Sequence, residues 1–140
     1  MKTGSCLCGS IRYEIESEPT DCNYCCCSIC RRLTGSAMGV YGMVRKSEFS
    51  WLSGEEVLNS YHQNTNLERF FCSNCGSFLL SVHALDSVNC YLSLGSLDSH
   101  EGIEISYQQF TDSKAPWLEL DGSLESHREW PSWIHERISK

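Results

Sequence analysis

Residues 69–77 read R-F-F-C-S-N-C-G-S, in which a C-x-x-C pair is followed by glycine. A second pair, C-L-C-G at residues 6–9, ends in the same Cys-Gly step, and residues 25–30 read C-C-C-S-I-C. Thiolates that bind zinc must lie about 2.3 Å from one point in a tetrahedral arrangement. A tight turn allows this for C-x-x-C, and the following glycine lets the chain leave the turn with positive φ. These segments predict a fold organised around bound metal.

The central segment contributes three ligands rather than four. In an extended chain, residues two apart face the same side, so Cys25 and Cys27 face one way and Cys26 the other. The C-x-x-C spacing then adds Cys30, which brings the number of metal-spaced cysteines in the chain to seven.

Seven ligands divide into four and three, which predicts two zinc ions per chain. The two remote pairs make a symmetrical four-ligand site, whereas the local triplet holds the second metal with one position open for water or substrate. Spacing alone leaves this partition undecided. The alternative is that all seven cysteines hold structural zinc, with nearby support from one of the remaining cysteines, Cys22, Cys26 or Cys90.

Other uses of cysteine fit less well. The ferredoxin spacing C-x₂-C-x₂-C-x₃-C does not occur, and no βαβ pattern surrounds a thioredoxin-like pair. Three consecutive cysteines, and an N-terminus without the apolar segment of a secretory signal, argue against a disulfide scaffold. We therefore expect a cytoplasmic protein in a reducing compartment.

Length and charge limit the organisation and the partners. A chain of 140 residues predicts one zinc-binding domain over residues 1–140. The formal charge of −7 comes from 11 basic and 18 acidic residues, and the basic residues are scattered. This balance predicts no nucleic-acid partner and no anionic membrane partner. No apolar run is long enough for a transmembrane helix.

Short strands dominate the hydrophobic pattern. Residues 11–16 alternate apolar and polar side chains, as a half-buried strand does. The glycines of residues 37–44 predict a strand with close backbone approaches. Helices are expected only at Ser28 to Leu33 and near Pro131 to Ile138. The fold class is therefore mostly β, with small antiparallel sheets and one or two short helices; the further predicted strands are residues 48–52, 57–62, 67–71, 78–82, 88–94 and 103–109.

Four segments in order, from Gly4 to Trp117, resemble the family of glutathione-dependent formaldehyde-activating enzymes and its relatives, which include centromere protein V. The segments are G-S-C-L-C-G-S-I-R-Y, Y-C-C-C-S-I-C-R-R with Thr34-Gly35 following, R-F-F-C-S-N-C-G-S and S-K-A-P-W. The resemblance implies a β-tent arrangement stabilised by zinc. It also implies that Cys6, Cys8, Cys72 and Cys75 hold the structural ion, and that Cys25, Cys27 and Cys30 form a catalytic-type site.

An open three-cysteine zinc site can hold a substrate thiol as thiolate and present it to an aldehyde carbon. Three thiolates weaken the Lewis acidity of zinc, which favours thiol binding over carbonyl activation. We therefore expect a carbon–sulfur lyase that acts on a thiol–aldehyde adduct, with glutathione and formaldehyde-like substrates implied by the resemblance. The alternative is a non-catalytic, zinc-stabilised binding module. The family often has histidine where this chain has Cys26, and the cysteine in its place changes the surroundings of the reactive metal.

Candidate substrate contacts are basic. Arg31 and Arg32 directly follow Cys30, and Lys114 precedes Pro116 and Trp117. Each is a candidate for binding a substrate carboxylate, and each alone also fits a solvated surface residue. Ser28 either caps the short helix or donates to a cysteine sulfur. Trp117 is expected to cover the core or to form a pocket wall.

Overall fold

The structure is a computed structural model, and it describes residues 1–134. This part of the chain forms eleven strands and one α-helix, joined by four short 3₁₀ turns. The elements are β1 (Lys2–Ser5), β2 (Arg12–Ile15), β3 (Thr20–Cys25), α1 (Ser28–Thr34), β4 (Gly39–Arg45), β5 (Phe49–Ser53), β6 (Leu58–His62), β7 (Leu67–Cys72), β8 (Phe78–His83), β9 (Asn89–Ser93), β10 (Tyr107–Gln109) and β11 (Glu125–Ser126).

The strands form two sheets of unequal size. The smaller sheet has the order β1-β2-β5 and is antiparallel throughout. The larger sheet has eight strands in the order β11-β10-β3-β4-β9-β8-β7-β6. The predicted mostly β fold is confirmed. The larger sheet is mixed, however, because β10 runs parallel to both β3 and β11.

The core lies between the small sheet and the larger one. The predicted alternation in residues 11–16 is confirmed, since Ile11, Tyr13 and Ile15 are each 0% exposed. Their side chains pack in one cluster with Leu79 and Leu92 of the larger sheet. Burial of this apolar surface is the main favourable term in holding the two sheets together.

Aromatic rings extend this core between the sheets. Tyr13 stacks on Phe49 at 5.3 Å between ring centroids, and Trp51 lies 6.5 Å from Phe70 of β7. The Tyr13 hydroxyl lies 2.7 Å from Ser96 Oγ, so its polar end is hydrogen-bonded.

Most of the predicted strands occur with ends shifted by one or two residues, but residues 103–109 form a strand only over Tyr107–Gln109. Ile103 and Ile105 still pack against the core, so their apolar character reflects burial rather than strand pairing. Three strands, β1, β3 and β11, were not predicted. β3 contains aspartate and asparagine, which disfavour strands, and its pairing with β4 and β10 outweighs that preference.

The predicted close approach in residues 37–44 is confirmed at Gly42. A Cβ atom there would lie 2.7 Å from Pro19 Cβ and 2.8 Å from Leu94 Cδ2. No side chain larger than hydrogen fits this position without displacing the core.

The predicted helix is present as α1, and its cap differs from the prediction. Cys27, not Ser28, is the N-cap, and its Sγ accepts a hydrogen bond from the Cys30 N–H. Gly35 closes the helix with φ of 65°, where its N–H donates to the Arg31 carbonyl. The predicted helical segment near Pro131 to Ile138 extends outside the described residues. A single domain over residues 1–140 stays a prediction.

No helix within residues 1–134 combines the length and the apolar character needed to cross a membrane.

Two candidate metal centres and a cavity

Two groups of cysteines come together in the folded chain. Their Sγ atoms lie within 4.8 Å of one another in each group. The first group, here called the four-cysteine cluster, consists of Cys6, Cys8, Cys72 and Cys75. The second, the three-cysteine cluster, consists of Cys25, Cys27 and Cys30.

The spacing of the four-cysteine cluster suits a tetrahedral ion. The Cys6 and Cys8 sulfurs are 3.6 Å apart, and those of Cys8 and Cys72 are 3.9 Å apart. Tetrahedral zinc with Zn–S bonds of about 2.3 Å requires sulfurs about 3.8 Å apart. The donor set and its spacing therefore fit zinc.

Two glycine turns shape this cluster. The turn after the C-x-x-C pair is the predicted one, whereas Cys6 and Cys8, a C-x-C pair for which an extended chain is predicted, also lie in a turn. Gly9 and Gly76 have φ of 78° and 81°, in the left-handed region that glycine adopts without strain. The Gly9 N–H donates to the Cys6 carbonyl at 3.1 Å, and the Gly76 N–H donates to the Cys72 carbonyl at 2.7 Å. Each turn thus brings two sulfurs to the same side.

Hydrogen bonds favour the thiolate form of two members of the cluster. The Ser77 hydroxyl is the main cause that lowers the pKa of Cys75 to about 5. Ser10, followed by the Asn74 amide, lowers the pKa of Cys8 to about 7. In contrast, burial raises the pKa of Cys72 to about 11. A metal ion suits this set of cysteines because it binds them as thiolates and offsets their negative charge.

The three-cysteine cluster forms where β3 meets α1. Cys25 ends the strand, Cys27 caps the helix and Cys30 lies in its first turn. Cys25 and Cys30 are buried, while Cys27 is half-buried. Hydrogen bonds from Cys25 and then Cys30 hold the pKa of Cys27 well below its usual range, and the bond to Cys27 raises the pKa of Cys25. Cys27 is therefore the member of the cluster that most favours the thiolate form.

Cys26 lies apart from this cluster. It is 0% exposed, and its backbone N–H donates to the Gln109 carbonyl at 3.0 Å. Burial raises the pKa of its thiol, which favours the neutral form. Cys22 and Cys90 lie in the main hydrophobic core, outside both clusters. Within residues 1–134, no further cysteine, histidine or carboxylate joins the three-cysteine cluster.

All three members of the three-cysteine cluster line a cavity of about 360 Å³. Tyr41, Arg69 and Trp130 contribute to the other walls. The three-cysteine cluster is therefore accessible to a small molecule through the cavity, while its remaining sides are protein.

Three buried polar atoms in the cavity wall have no hydrogen-bond partner at standard bonding geometry. Asn23 Oδ1, the Tyr41 hydroxyl and Gln109 Oε1 are buried without a hydrogen-bond partner among the described residues. Unsatisfied buried polar atoms are rare because each loses the free energy of its hydrogen bonds to water. Their presence around one cavity is typical of a site that binds a polar ligand.

Tyr41 is the polar cavity residue next to the sulfurs. It packs in one cluster with Cys25 and Cys30. Burial, followed by the proximity of Cys30, raises the pKa of Tyr41. The phenol is therefore neutral and presents an O–H donor to the cavity.

The predicted substrate contacts lie elsewhere. Arg31 donates to the carbonyl oxygens of Cys26 and Ser113, which ties α1 to a distant loop. Arg32 is exposed, and Lys114 Nζ donates to the Leu118 carbonyl at 3.0 Å. None of these three basic residues is among those that line the cavity.

Sequence reasoning missed several cavity residues. Trp130, not Trp117, forms part of the wall, and Trp117 is 72% exposed. Arg69 stands in the quoted R-F-F-C segment, but nothing in the sequence marks it as a cavity residue. Nothing in the sequence distinguished Asn23, Tyr41 or Gln109, because their roles depend on which strands become neighbours.

Comparisons with known proteins agree with this architecture. Residues 1–113 match the family described as "Glutathione-dependent formaldehyde-activating enzyme". A crystal structure of a Rhodobacter sphaeroides protein superposes with a TM-score of 0.58 at 26% identity, covering 73% of this chain and 90% of that one.

Curated relatives carry related names. A Halomonas elongata protein named "Putative glutathione-dependent formaldehyde-activating enzyme" is 33% identical over 82 residues, which is 54% of this chain and 52% of that protein. A Sordaria macrospora protein of the same name is 28% identical over 101 residues, 67% of this chain and 43% of its own length. An uncharacterized lyase of Schizosaccharomyces pombe is 25% identical over 111 residues, 79% of either chain.

The chain thus spans about half the length of the first two relatives and most of the third. The family match covers well over half of the chain and includes all seven cysteines of the two clusters. The chain belongs to the family of glutathione-dependent formaldehyde-activating enzymes.

Proposed function

We propose that this protein is a carbon–sulfur lyase that makes or breaks the bond between a small thiol and an aldehyde carbon. The observation that carries the proposal is the opening of the three-cysteine cluster onto a cavity with unpartnered polar walls. The family name and the lyase name of one relative support the reaction class. Glutathione and formaldehyde are the proposed substrates.

Cys25, Cys27 and Cys30 are the proposed ligands of a zinc ion at this cluster. When bound there, zinc supplies a positive charge that favours the thiolate form of a substrate thiol. Cys6, Cys8, Cys72 and Cys75 are proposed to hold a second, structural zinc ion. Free thiols in both clusters suit a reducing compartment, and we propose the cytoplasm.

The proposed reaction joins the two substrates within the cavity. The substrate sulfur donates an electron pair to the aldehyde carbon, and the C=O π electrons move to oxygen, which takes up the proton that the substrate thiol released on becoming a thiolate. The Tyr41 O–H lies in the cavity wall beside the Cys30 sulfur and donates a hydrogen bond to that oxygen as charge develops there. In the reverse direction the hydroxyl proton leaves, the C–S bond breaks and the C=O bond re-forms.

Cobalt substitution tests whether a thiol reaches the three-cysteine cluster, because cobalt–thiolate absorption reports the number of sulfur ligands. Glutathione should increase this absorption saturably in the wild-type protein. Cys27→Ser should abolish the increase, and Cys26→Ala, at the neighbouring cysteine outside the cluster, should retain it. An unchanged spectrum with the wild-type protein would exclude thiol binding at this site.

Exchange NMR tests the reaction itself. The zinc-loaded protein should accelerate the exchange between free glutathione, formaldehyde and their adduct above the spontaneous rate. Thiol binding without acceleration would contradict the lyase proposal and favour the zinc-stabilised binding module. The carboxylate-binding role of Arg31, Arg32 and Lys114 stays a prediction.

A further inference from the structure

Arg69 of β7 is a buried cation in the wall of the cavity. It is 8% exposed, and its guanidinium lies 5.8 Å from the centroid of the Phe78 ring. Its Nε donates to Gln63 Oε1 at 2.9 Å, and its Nη1 donates to Ser81 Oγ at 3.1 Å. These two acceptors are neutral, so they orient the guanidinium without offsetting its charge.

No carboxylate within residues 1–134 forms an ion pair with Arg69. The acidic neighbour in sequence, Glu68, instead contacts His62 Nε2 at 3.0 Å and accepts from Ser60 Oγ at 2.7 Å. Arginine is rarely buried unless it is paired, because removing its charge from water is costly. A guanidinium also has five N–H donors, more than its two neutral partners use.

Arg69 and the three-cysteine cluster face the same cavity, and the Phe78 ring lies against both of them. The Phe78 ring below Arg69 meets the Tyr41 ring edge-on at 6.2 Å, and Tyr41 packs against Cys25 and Cys30. A ligand that binds both sites must therefore have several bonds between its thiol, which reaches the sulfurs, and the group that contacts Arg69.

We propose that Arg69 binds a carboxylate of the thiol substrate. The unpartnered Asn23 Oδ1 and Gln109 Oε1 accept hydrogen bonds from the N–H groups of the same substrate. The site is thereby specific for a peptide-like thiol that carries a carboxylate. The role of Arg69 rests on the proposed function in one respect, which is that the substrate thiol binds at the three-cysteine cluster. The guanidinium provides a charge-assisted, two-pronged contact for the carboxylate.

A thiol-blocked probe separates the carboxylate site from the metal. S-methylglutathione keeps both carboxylates and all N–H groups of glutathione, and calorimetry with the zinc-loaded protein measures its binding without any reaction. Arg69→Gln should weaken this binding about 10- to 100-fold, the effect of losing a hydrogen-bonded ion pair. Arg69→Lys, which keeps the charge but not the fork, should recover part of the affinity.

Two controls isolate the carboxylate. Arg45→Gln removes an exposed arginine at the end of β4 that does not line the cavity, and it should leave the affinity unchanged. The diethyl ester of S-methylglutathione, which lacks both carboxylates, should bind wild type and Arg69→Gln equally weakly. If the free acid and the diester bind the wild type equally, the proposal is wrong.

The wild-type protein alone provides a further test if Arg69→Gln does not fold. Acetate should compete with S-methylglutathione and not with its diester, and the absence of competition would overturn the proposal. If Arg69 governs this binding while glutathione leaves the cobalt spectrum unchanged, the carboxylate site stands and the lyase proposal fails. If glutathione changes the spectrum with equal affinity in wild type and Arg69→Gln, the arginine only offsets the charge of the three-cysteine cluster.

Discussion

The two cysteine clusters use the same side chain in opposite ways. The four-cysteine cluster joins segments far apart in the chain, since Cys8 and Cys72 are 64 positions apart, and four protein sulfurs surround its centre. The three-cysteine cluster lies within six consecutive residues and opens onto a cavity. The first arrangement is suited to holding the fold together, and the second to binding a ligand from outside.

Loop closure explains why the clusters should differ in their effect on stability. A cross-link between distant segments removes more conformational freedom from the unfolded chain than one within a short loop. The four-cysteine cluster also brings the connection between β1 and β2 of the small sheet, which contains Cys6 and Cys8, next to the end of β7 in the larger sheet. Three predictions test this difference, starting with the largest expected effect.

Cys72→Ser should give an insoluble or molten protein. Structural zinc contributes on the order of 10–16 kcal/mol in small peptides, compared with a total stability of about 5–15 kcal/mol for a domain. Circular dichroism and metal analysis measure the outcome. A soluble Cys72→Ser protein with an unchanged melting curve would contradict the structural assignment.

Cys90→Ser is the matched control for this change. Cys90 is as buried as Cys72 but lies outside both clusters, and its sulfur is 3.5 Å from the Val44 carbonyl, which a serine hydroxyl can also reach. The control should cost about 1 kcal/mol and keep the fold.

A chelator should remove the two metals in sequence from the zinc-loaded protein. The metal at the three-cysteine cluster should leave first and without loss of secondary structure, because one of its positions is exchangeable and reached through the cavity. The second metal should leave only as the chain unfolds. A colorimetric chelator and circular dichroism, followed together, measure both events; simultaneous loss of both metals and the fold would remove the distinction between the clusters.

Cys27→Ser should have the smallest effect, below about 1 kcal/mol in the free energy of unfolding. Serine can replace the Cys27 sulfur as the acceptor for the Cys30 N–H at the start of α1. Cys27→Ala removes the cap as well and should cost about 1 kcal/mol more. Urea unfolding measures both, and a Cys27→Ser protein as unstable as Cys72→Ser would show that the short cluster also holds the fold.

Local features of the structure were predictable where neighbours in sequence determine them. The alternation of residues 11–16, the short helix α1 and the positive φ of Gly76 all follow from interactions within a few residues. In contrast, β3 could not be predicted from its polar composition. It forms because β4 and β10 supply hydrogen-bond partners on both edges. This unpredicted strand positions Cys25, a member of the three-cysteine cluster, at its end.

The cysteine spacings by themselves determined which sulfurs are held close by a turn, and the sign and scatter of the charges argued against nucleic acid. Tertiary structure alone decided that Arg31 contacts backbone carbonyls while Arg69 lies buried without an acidic partner among residues 1–134. It also placed Asn23, Tyr41 and Gln109 around one cavity. The reason is physical: turn geometry depends on adjacent dihedral angles, whereas the burial and pairing of a side chain depend on which distant strands become neighbours.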